Sequence, residues 1–321
     1  MDGKPFISVI ITAYNRKEFL LNAIKSALNQ TLSKDKYEIL VIKNFSDNKI
    51  DKFMDENNIT SIISDGIEGE YPYTALNKSN GEILSFLDDD DLMRENKLEI
   101  VYNTFNDKNI GYYHNNFEVL LNNDIVHNKL INSPKYKTIE IYNKDKNKYI
   151  YYMEKKLLYV NNSCISIRKE ILKPWSLYLK NQAANIDRFI FISALLSKFN
   201  LYMDNRILNS YRIHDDQTGV LVSDNINVLA RKKLEFINKS LTAFNNIMKM
   251  ANNSRFDGYV RTRITNLKLA YNFWSFENRY KIGLTDYLDY INNKDFNEIP
   301  RLIIYKTPKF IRKRLIKIIY R

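Results

Sequence analysis

The chain has 321 residues, 45% of them apolar, one cysteine and a formal net charge of +12. That length accommodates a catalytic domain of about 200–250 residues plus an appendage, and the apolar content supports a packed core rather than disorder. The single Cys164 excludes an intramolecular disulfide framework and fits a reducing compartment.

No signal-peptide pattern precedes the first apolar run. No stretch approaches the roughly 18 apolar residues of a spanning helix, so the expectation is a soluble or peripherally bound protein. Charge is unevenly placed. Residues 1–225 carry 29 Lys/Arg against 30 Asp/Glu, whereas residues 226–321 carry 20 against 7. The whole excess lies in the last third, which predicts two functional parts with the basic one facing an anionic partner.

In chain order, Phe6–Ile11 reads as a strand buried on both faces. Thr12–Arg16 breaks it, and residues 17–30 place Phe19, Leu20, Ala23, Ile24, Ala27 and Leu28 at helical spacing. Residues 38–42 form a second strand, 49–57 a helix, 60–64 a short strand, and 75–79 a helical turn that Gly81 ends. The apolar run Ile83–Leu87 is then followed by Asp88, Asp89, Asp90 and Asp91. Strand–helix alternation predicts a mostly parallel α/β sheet, and ligands of such sheets bind beyond the carboxyl ends of strands. Asn15, Asn44 and the acidic run all fall at such ends.

Four consecutive carboxylates repel one another unless a cation sits among them. A divalent Mg²⁺ or Mn²⁺, bridging one or two carboxylates to phosphates, is one reading. A solvated acidic turn capping a helix that starts near Leu92 is the other. Neither GxGxxG after the first strand nor GxxxxGK[ST] occurs, which disfavours dinucleotide dehydrogenases and P-loop NTPases.

Residues 110–167 read as Tyr-rich strands broken at Asn122–Asp124 and at Asn143–Lys148, with His114 and His127 on strand surfaces. Residues 226–251 and 259–277 have helical spacing. The chain ends in Lys309–Arg321, where six of 13 residues are cationic and Ile311, Leu315, Ile318 and Ile319 share one helical face. Such a helix suits an anionic membrane surface, or it docks on the domain.

The stretch Ser8–Arg16, continued by Ala23–Thr31, Ala75–Asn77, Gly81–Ile83, Phe86–Asp91 and Asn162–Glu170, resembles the family 2 glycosyltransferases, which have a GT-A fold. The resemblance covers residues 6 to about 219. It implies a GT-A catalytic domain over 1–224, with a nucleotide-sugar half (1–91) and an acceptor half (92–224). A basic helical region follows at 225–321. The implied reaction is inverting transfer of a sugar from a UDP- or GDP-linked donor to a hydroxyl of a glycan or lipid-linked acceptor. The implied setting is the cytoplasmic face of the membrane, with no nucleic-acid partner expected.

Carried over position by position, Thr12, Ala13, Tyr14 and Asn15 line the base and ribose pocket. Asp88 and Asp89 contact the nucleotide, Asp90 ligates Mg²⁺ or Mn²⁺ with His214 near it, and Asp187 is the general base. Arg212 and Thr218 are lesser phosphate candidates. The chain departs from the family's acidic pair after the second strand. Asn44 stands where an acid often reads the base, and Lys43 adds positive charge nearby. A silent scaffold, a metal-dependent nucleotidyltransferase and a nucleic-acid binder therefore remain as alternatives.

Overall fold

The computed structural model describes residues 4–121, 124–126, 134–214, 226–275, 279–283, 285–286, 288–289 and 311. The chain divides into two compact units, Met1–Gln182 with Ile186–Asp215, and Ala183–Asn185 with Asp216–Arg321.

The first unit is built on a sheet of β1 (Ile7–Ala13), β2 (Tyr37–Lys43), β3 (Thr60–Ile63), β4 (Ile83–Asp88), β5 (Leu92–Met93), β6 (Ile110–Leu121), β7 (Asp124–Val126), β8 (Ile139–Ile141), β9 (Ile165–Arg168) and β10 (Asn200–Ile213). Its helices are α1 (Leu20–Leu28), α2 (Asn48–Glu56), α3 (Glu70–Lys78), α4 (Lys97–Phe105), α5 (Lys146–Lys155), α6 (Lys169–Leu172), α7 (Ser176–Lys180) and α8 (Ile186–Leu196). The strand order is β3-β2-β1-β4-β9-β6-β10-β5, with β7 beside β6 and β8 beside β10. β1 to β4 are mutually parallel, and β9 is antiparallel to both β4 and β6. β10 runs parallel to β6, so β1, β2, β3, β4, β6 and β10 all point the same way. Their carboxyl ends lie on one rim.

The alternating residues Ile7, Val9, Ile11 and Ala13 of β1 are fully buried and pack in one core with Ala23, Ile24 and Ala27 of α1, Met54 of α2 and Leu98, Val101 and Phe105 of α4. The intervening Ile10 is buried too, and α3 covers β1 and β2. Burial on both faces is what made these strands readable as continuous apolar runs. Gly81 sits where β4 starts close beside β1. Its N–H donates to Ser8 Oγ at 2.9 Å, and a Cβ there would lie 2.6 Å from Ser8 N and 2.8 Å from Ile7 C.

Three expectations are corrected. The acidic run is not a solvated helix cap: Asp89, Asp90 and Asp91 are buried, β5 follows them, and the next helix starts only at Lys97. The break at Asn143–Lys148 leads into α5 rather than a strand. Its buried Lys146 donates from Nζ to Ala194 O and Ser197 O, both at 2.8 Å, satisfying carbonyls left open where α8 ends. His114 is fully buried, not on a strand surface, because both faces of β6 are covered. Its Nε2 meets Val160 O at 3.0 Å, and burial lowers its pKa to about 4. His127 lies outside the described residues.

The second unit contains α9 (Ile226–Ala251) and α10 (Asp257–Ser275). Leu229, Ile237, Leu241, Phe244 and Ile247 of α9 are buried at the expected helical spacing. Among the described residues no helix is long and apolar enough to cross a membrane. The basic segment 309–321 lies outside the described residues, except for residue 311.

The backbone contact at Gly81 gives a direct expectation. Gly81→Ala forces β4 away from β1 and costs about 1–3 kcal/mol of stability, measurable as a lowered urea midpoint. An unchanged midpoint contradicts the close approach.

Candidate active site

Two strand ends close the first part of the rim. Beyond Thr12 and Ala13 of β1, Tyr14 is 62% exposed and meets Tyr71 edge-on at 6.2 Å between ring centres. Asn15 then adopts a left-handed backbone with φ 53°, a conformation asparagine tolerates better than most residues. That turn aims its N–H at Asn44 Oδ1 (2.8 Å), while Asn44 Nδ2 donates to Asn15 Oδ1 (2.7 Å). The two amides form a reciprocal pair across the tops of β1 and β2. Lys43 does not place a loose charge here: it is buried, ion-paired with Asp51 at 2.8 Å and donates to Phe45 O at 2.6 Å.

The four carboxylates after β4 sort into an inner and an outer pair. On the inner side, the backbone N–H of Asp88 donates to Ser163 Oγ at 3.0 Å. Asp91 accepts from Arg212 N–H (2.9 Å) and Asn161 Nδ2 (3.1 Å). Burial raises the pKa of Asp91 to about 7 and pushes Asp88 well above the usual carboxylate range, with the neighbouring acids adding to both. Lys97 lies wholly buried nearby, donating to Ser163 O and to Asn209 Oδ1 (2.9 Å), and burial lowers its pKa to about 8.

On the outer side, Arg16 grips Asp89 through Nε (3.2 Å) and Nη2 and reaches Asp90 Oδ2 at 2.8 Å. His214, just past the carboxyl end of β10, puts Nε2 3.0 Å from the same Asp90 oxygen and 2.9 Å from Arg16 Nη1. Nε2 thus lies between a donor, the Arg16 guanidinium, and an acceptor, the Asp90 carboxylate, and it accepts from the first when bare or donates to the second when protonated. Asp89, Asp90 and His214 all close on one cation, the guanidinium. Arg212 lies under the turn, donating to Asp90 O at 2.9 Å, with its guanidinium 4.5 Å from the Phe19 ring centre. Thr218 lies outside the described residues.

The donor set also fits a divalent ion. Asp90 and His214 supply a carboxylate and an imidazole within reach of a common centre, and Mg²⁺ or Mn²⁺ ordinarily takes few protein ligands and completes its shell with water and phosphate oxygens. Among the described residues no group of three or more His, Cys, Asp or Glu side chains is set to hold a metal by itself.

Asp187 lies in the first turn of α8, half-buried, and its Oδ1 accepts the Arg188 N–H at 2.6 Å. Burial raises its pKa; Arg188 and the backbone N–H of Asn161 partly oppose this. Arg188 is itself pinned by Glu154 at 2.6 Å and stacked 3.7 Å over the Tyr159 ring.

Asn161, with φ 74°, therefore bears on two candidate groups: its amide donates to Asp91, and its backbone N–H favours the charged form of Asp187. Sequence reasoning assigned no role to it, to Arg16, to Lys97 or to Arg188. Only the Asn161-Asn162 pair before β9 carried a signal, as a left-handed turn.

Comparison with known proteins places this architecture. Residues 8–173 match the family described as Glycosyl transferase family 2. The Escherichia coli UDP-Glc:alpha-D-GlcNAc-diphosphoundecaprenol beta-1,3-glucosyltransferase WfgD is 33% identical over 126 residues, 37% of this chain and 49% of that protein. The chain spans at most about half the length of the first curated relatives it matches. Among solved structures, Staphylococcus aureus TarS 1-349 in complex with UDP-GlcNAc superposes with TM-score 0.54 at 15% identity, covering 92% of each chain. The Pyrobaculum calidifontis mannosyltransferase PcManGT, in complex with GDP-Man and Mn²⁺, gives 0.54 at 13% identity, covering 94% of this chain and 78% of that one. The shared architecture is the GT-A fold.

Asn161 yields a prediction. Asn161→Ala strains the left-handed turn and removes a hydrogen bond to a buried carboxylate, for an expected loss of about 2–4 kcal/mol. Asn161→Gly relieves the turn alone and recovers part of that loss. Equal stability of both variants and the wild type in urea titration contradicts the bridging role.

Proposed function

This chain belongs to glycosyl transferase family 2, and from that premise we propose that it transfers a sugar, with inversion, from a nucleoside-diphosphate donor to an acceptor hydroxyl in the assembly of a glycan or glycolipid. The observation that carries this reading is the meeting of the acidic turn with His214 at the carboxyl-end rim.

In this reading Thr12, Ala13, Tyr14, Asn15 and Asn44 receive the base and ribose, and Asp88 and Asp89 orient the nucleotide. The donor is UDP- or GDP-linked, consistent with the complexes of the solved relatives. Asp90 and His214 hold Mg²⁺ or Mn²⁺, which when bound offsets the charge growing on the departing diphosphate.

Asp187 takes the proton of the acceptor hydroxyl as its oxygen bonds to C1 and the bond from C1 to the diphosphate breaks. A single displacement of this kind inverts C1. The raised pKa of Asp187 suits a base, since a more basic carboxylate accepts the proton more readily. Release of a nucleoside diphosphate, not pyrophosphate, separates this chemistry from nucleotidyl transfer.

Residues 1–224 are the catalytic domain in this proposal, and 225–321 the basic attachment to an anionic membrane at its cytoplasmic face, where a lipid-linked acceptor would be met. The 20-to-7 excess of basic over acidic residues in 226–321 supports it.

Four outcomes follow. Asp187→Asn keeps nucleotide binding in calorimetry and loses about 10²–10⁴-fold in turnover; retained transfer refutes the base. In the wild type the rate rises with pH through the raised Asp187 pKa and then levels off, because only the carboxylate accepts the proton. Arg188→Gln removes a positive charge that favours this carboxylate, so the rising limb moves to higher pH; a limb that stays put refutes the coupling. Deleting residues 309–321 abolishes sedimentation with vesicles of anionic lipid but not of neutral lipid, and unchanged sedimentation ends the membrane proposal.

A further inference from the structure

Arg16 is the one group that touches every member of the outer cluster. It contacts both oxygens of Asp89, Asp90 Oδ2 and His214 Nε2, and its side chain remains 24% exposed. Asp89 and Asp90 are adjacent in sequence and largely withdrawn from water. Without a neighbouring cation their repulsion would turn one of them outward or force a proton onto it. The guanidinium prevents both.

The same atoms are the ones a divalent ion would need. Asp90 Oδ2 and His214 Nε2 lie 2.8 and 2.9 Å from Arg16 nitrogens. A metal ion at bonding distance from that oxygen and that nitrogen would sit against the guanidinium, cation against cation. Arg16 and the ion therefore exclude one another at these two atoms.

Arg16 also has somewhere to go. It is joined to the left-handed Asn15 on the rim beyond β1, is held by side-chain contacts alone in these interactions, and its charged partners are two carboxylates. A diphosphate offers a planar guanidinium the same bidentate pairing as a carboxylate.

We propose that Arg16 is a resident cation that holds Asp89, Asp90 and His214 assembled in the absence of metal, and yields Asp90 and His214 to a divalent ion when an anionic nucleoside diphosphate arrives to receive its charge. The inference rests on the assignment of Asp90 and His214 as metal ligands made above. Arg16 is then a positioning residue: it keeps the acidic turn from binding metal unproductively and makes metal and donor enter together. Coupling between two ligands through one shared group is reciprocal, so the nucleotide strengthens metal binding by the factor by which the metal strengthens nucleotide binding.

The test is calorimetric titration of the full chain with Mn²⁺ alone, and with Mn²⁺ in the presence of UDP or GDP, on wild type, Arg16→Met and Arg16→Lys. Expected for wild type is weak Mn²⁺ binding alone and about tenfold or stronger enhancement by nucleotide. Arg16→Met binds Mn²⁺ alone about tenfold more tightly than wild type, and the enhancement shrinks towards onefold. Its melting temperature falls in EDTA and is restored by Mn²⁺. Arg16→Lys, which keeps the charge without the fork, falls between the two and serves if the methionine variant does not fold.

General damage to the site would weaken Mn²⁺ binding, so a tighter variant has no merely structural explanation. Equal or weaker Mn²⁺ affinity in both variants, with the wild type binding Mn²⁺ in the presence of nucleotide, overturns the inference and leaves the metal assignment standing. Mn²⁺ that binds none of the three proteins, with or without nucleotide, overturns the metal assignment and the inference together.

Discussion

Four carboxylates at the end of a strand buried on both faces set the terms for everything around them. Desolvation penalises each charge and proximity penalises the set. The fold answers with a different device for each position. Arg212 N–H and the Asn161 amide take the Asp91 carboxylate, Arg16 takes Asp89 and Asp90, and Ser163 Oγ fixes the backbone at Asp88 by accepting its N–H. Lys97 lies beneath as a buried cation tied to Ser163 and Asn209. These partners come from β1, α4, the turn before β9 and β10, so neutralising one turn recruits much of the first unit. The outer pair is compensated by Arg16, a side chain that stays partly exposed to water.

What could be read in advance follows from this. β1 and β4 announce themselves because burial on both faces leaves an unbroken apolar run, and the acids after β4 stand out against it. Asn44 and Asp187 were legible as positions through the family resemblance. Their working partners were not. A lone arginine such as Arg16, in a polar break, looks like any solvated cation until the register of β1 and β4 pairs Thr12 with Asp88 and so brings Asp89 within reach. Lys97, Lys146 and Lys43 are buried lysines, which sequence reasoning rightly treats as rare. Each becomes plausible only when the carbonyls or the carboxylate it meets are known. His114 was misjudged for a related reason: alternation within β6 suggests a solvent face, but β6 lies between β9 and β10 and is covered on both sides.

The acid that would act as base belongs to a different electrostatic regime. Asp187 is raised by burial yet tempered by Arg188, whose own geometry is set by Glu154 and the Tyr159 ring. Asp187 is therefore tuned by an ion pair reaching back to α5, whereas the acidic turn answers to Arg16 and the strand ends. Among the described residues Asn161 bears on both: its amide donates to Asp91 and its backbone N–H favours the Asp187 carboxylate.

Lys146 has a consequence for how such an enzyme can diversify. Its ammonium holds the closing carbonyls of α8 from a helix that belongs to the segment between β8 and β9. The helix that carries Asp187 at one end is thus moored at the other by the first residue of α5. Any exchange of this segment must keep one lysine at one depth, or loosen the helix that carries Asp187 farther along the chain. Grafting the segment between relatives is then a problem of mooring as much as of recognition.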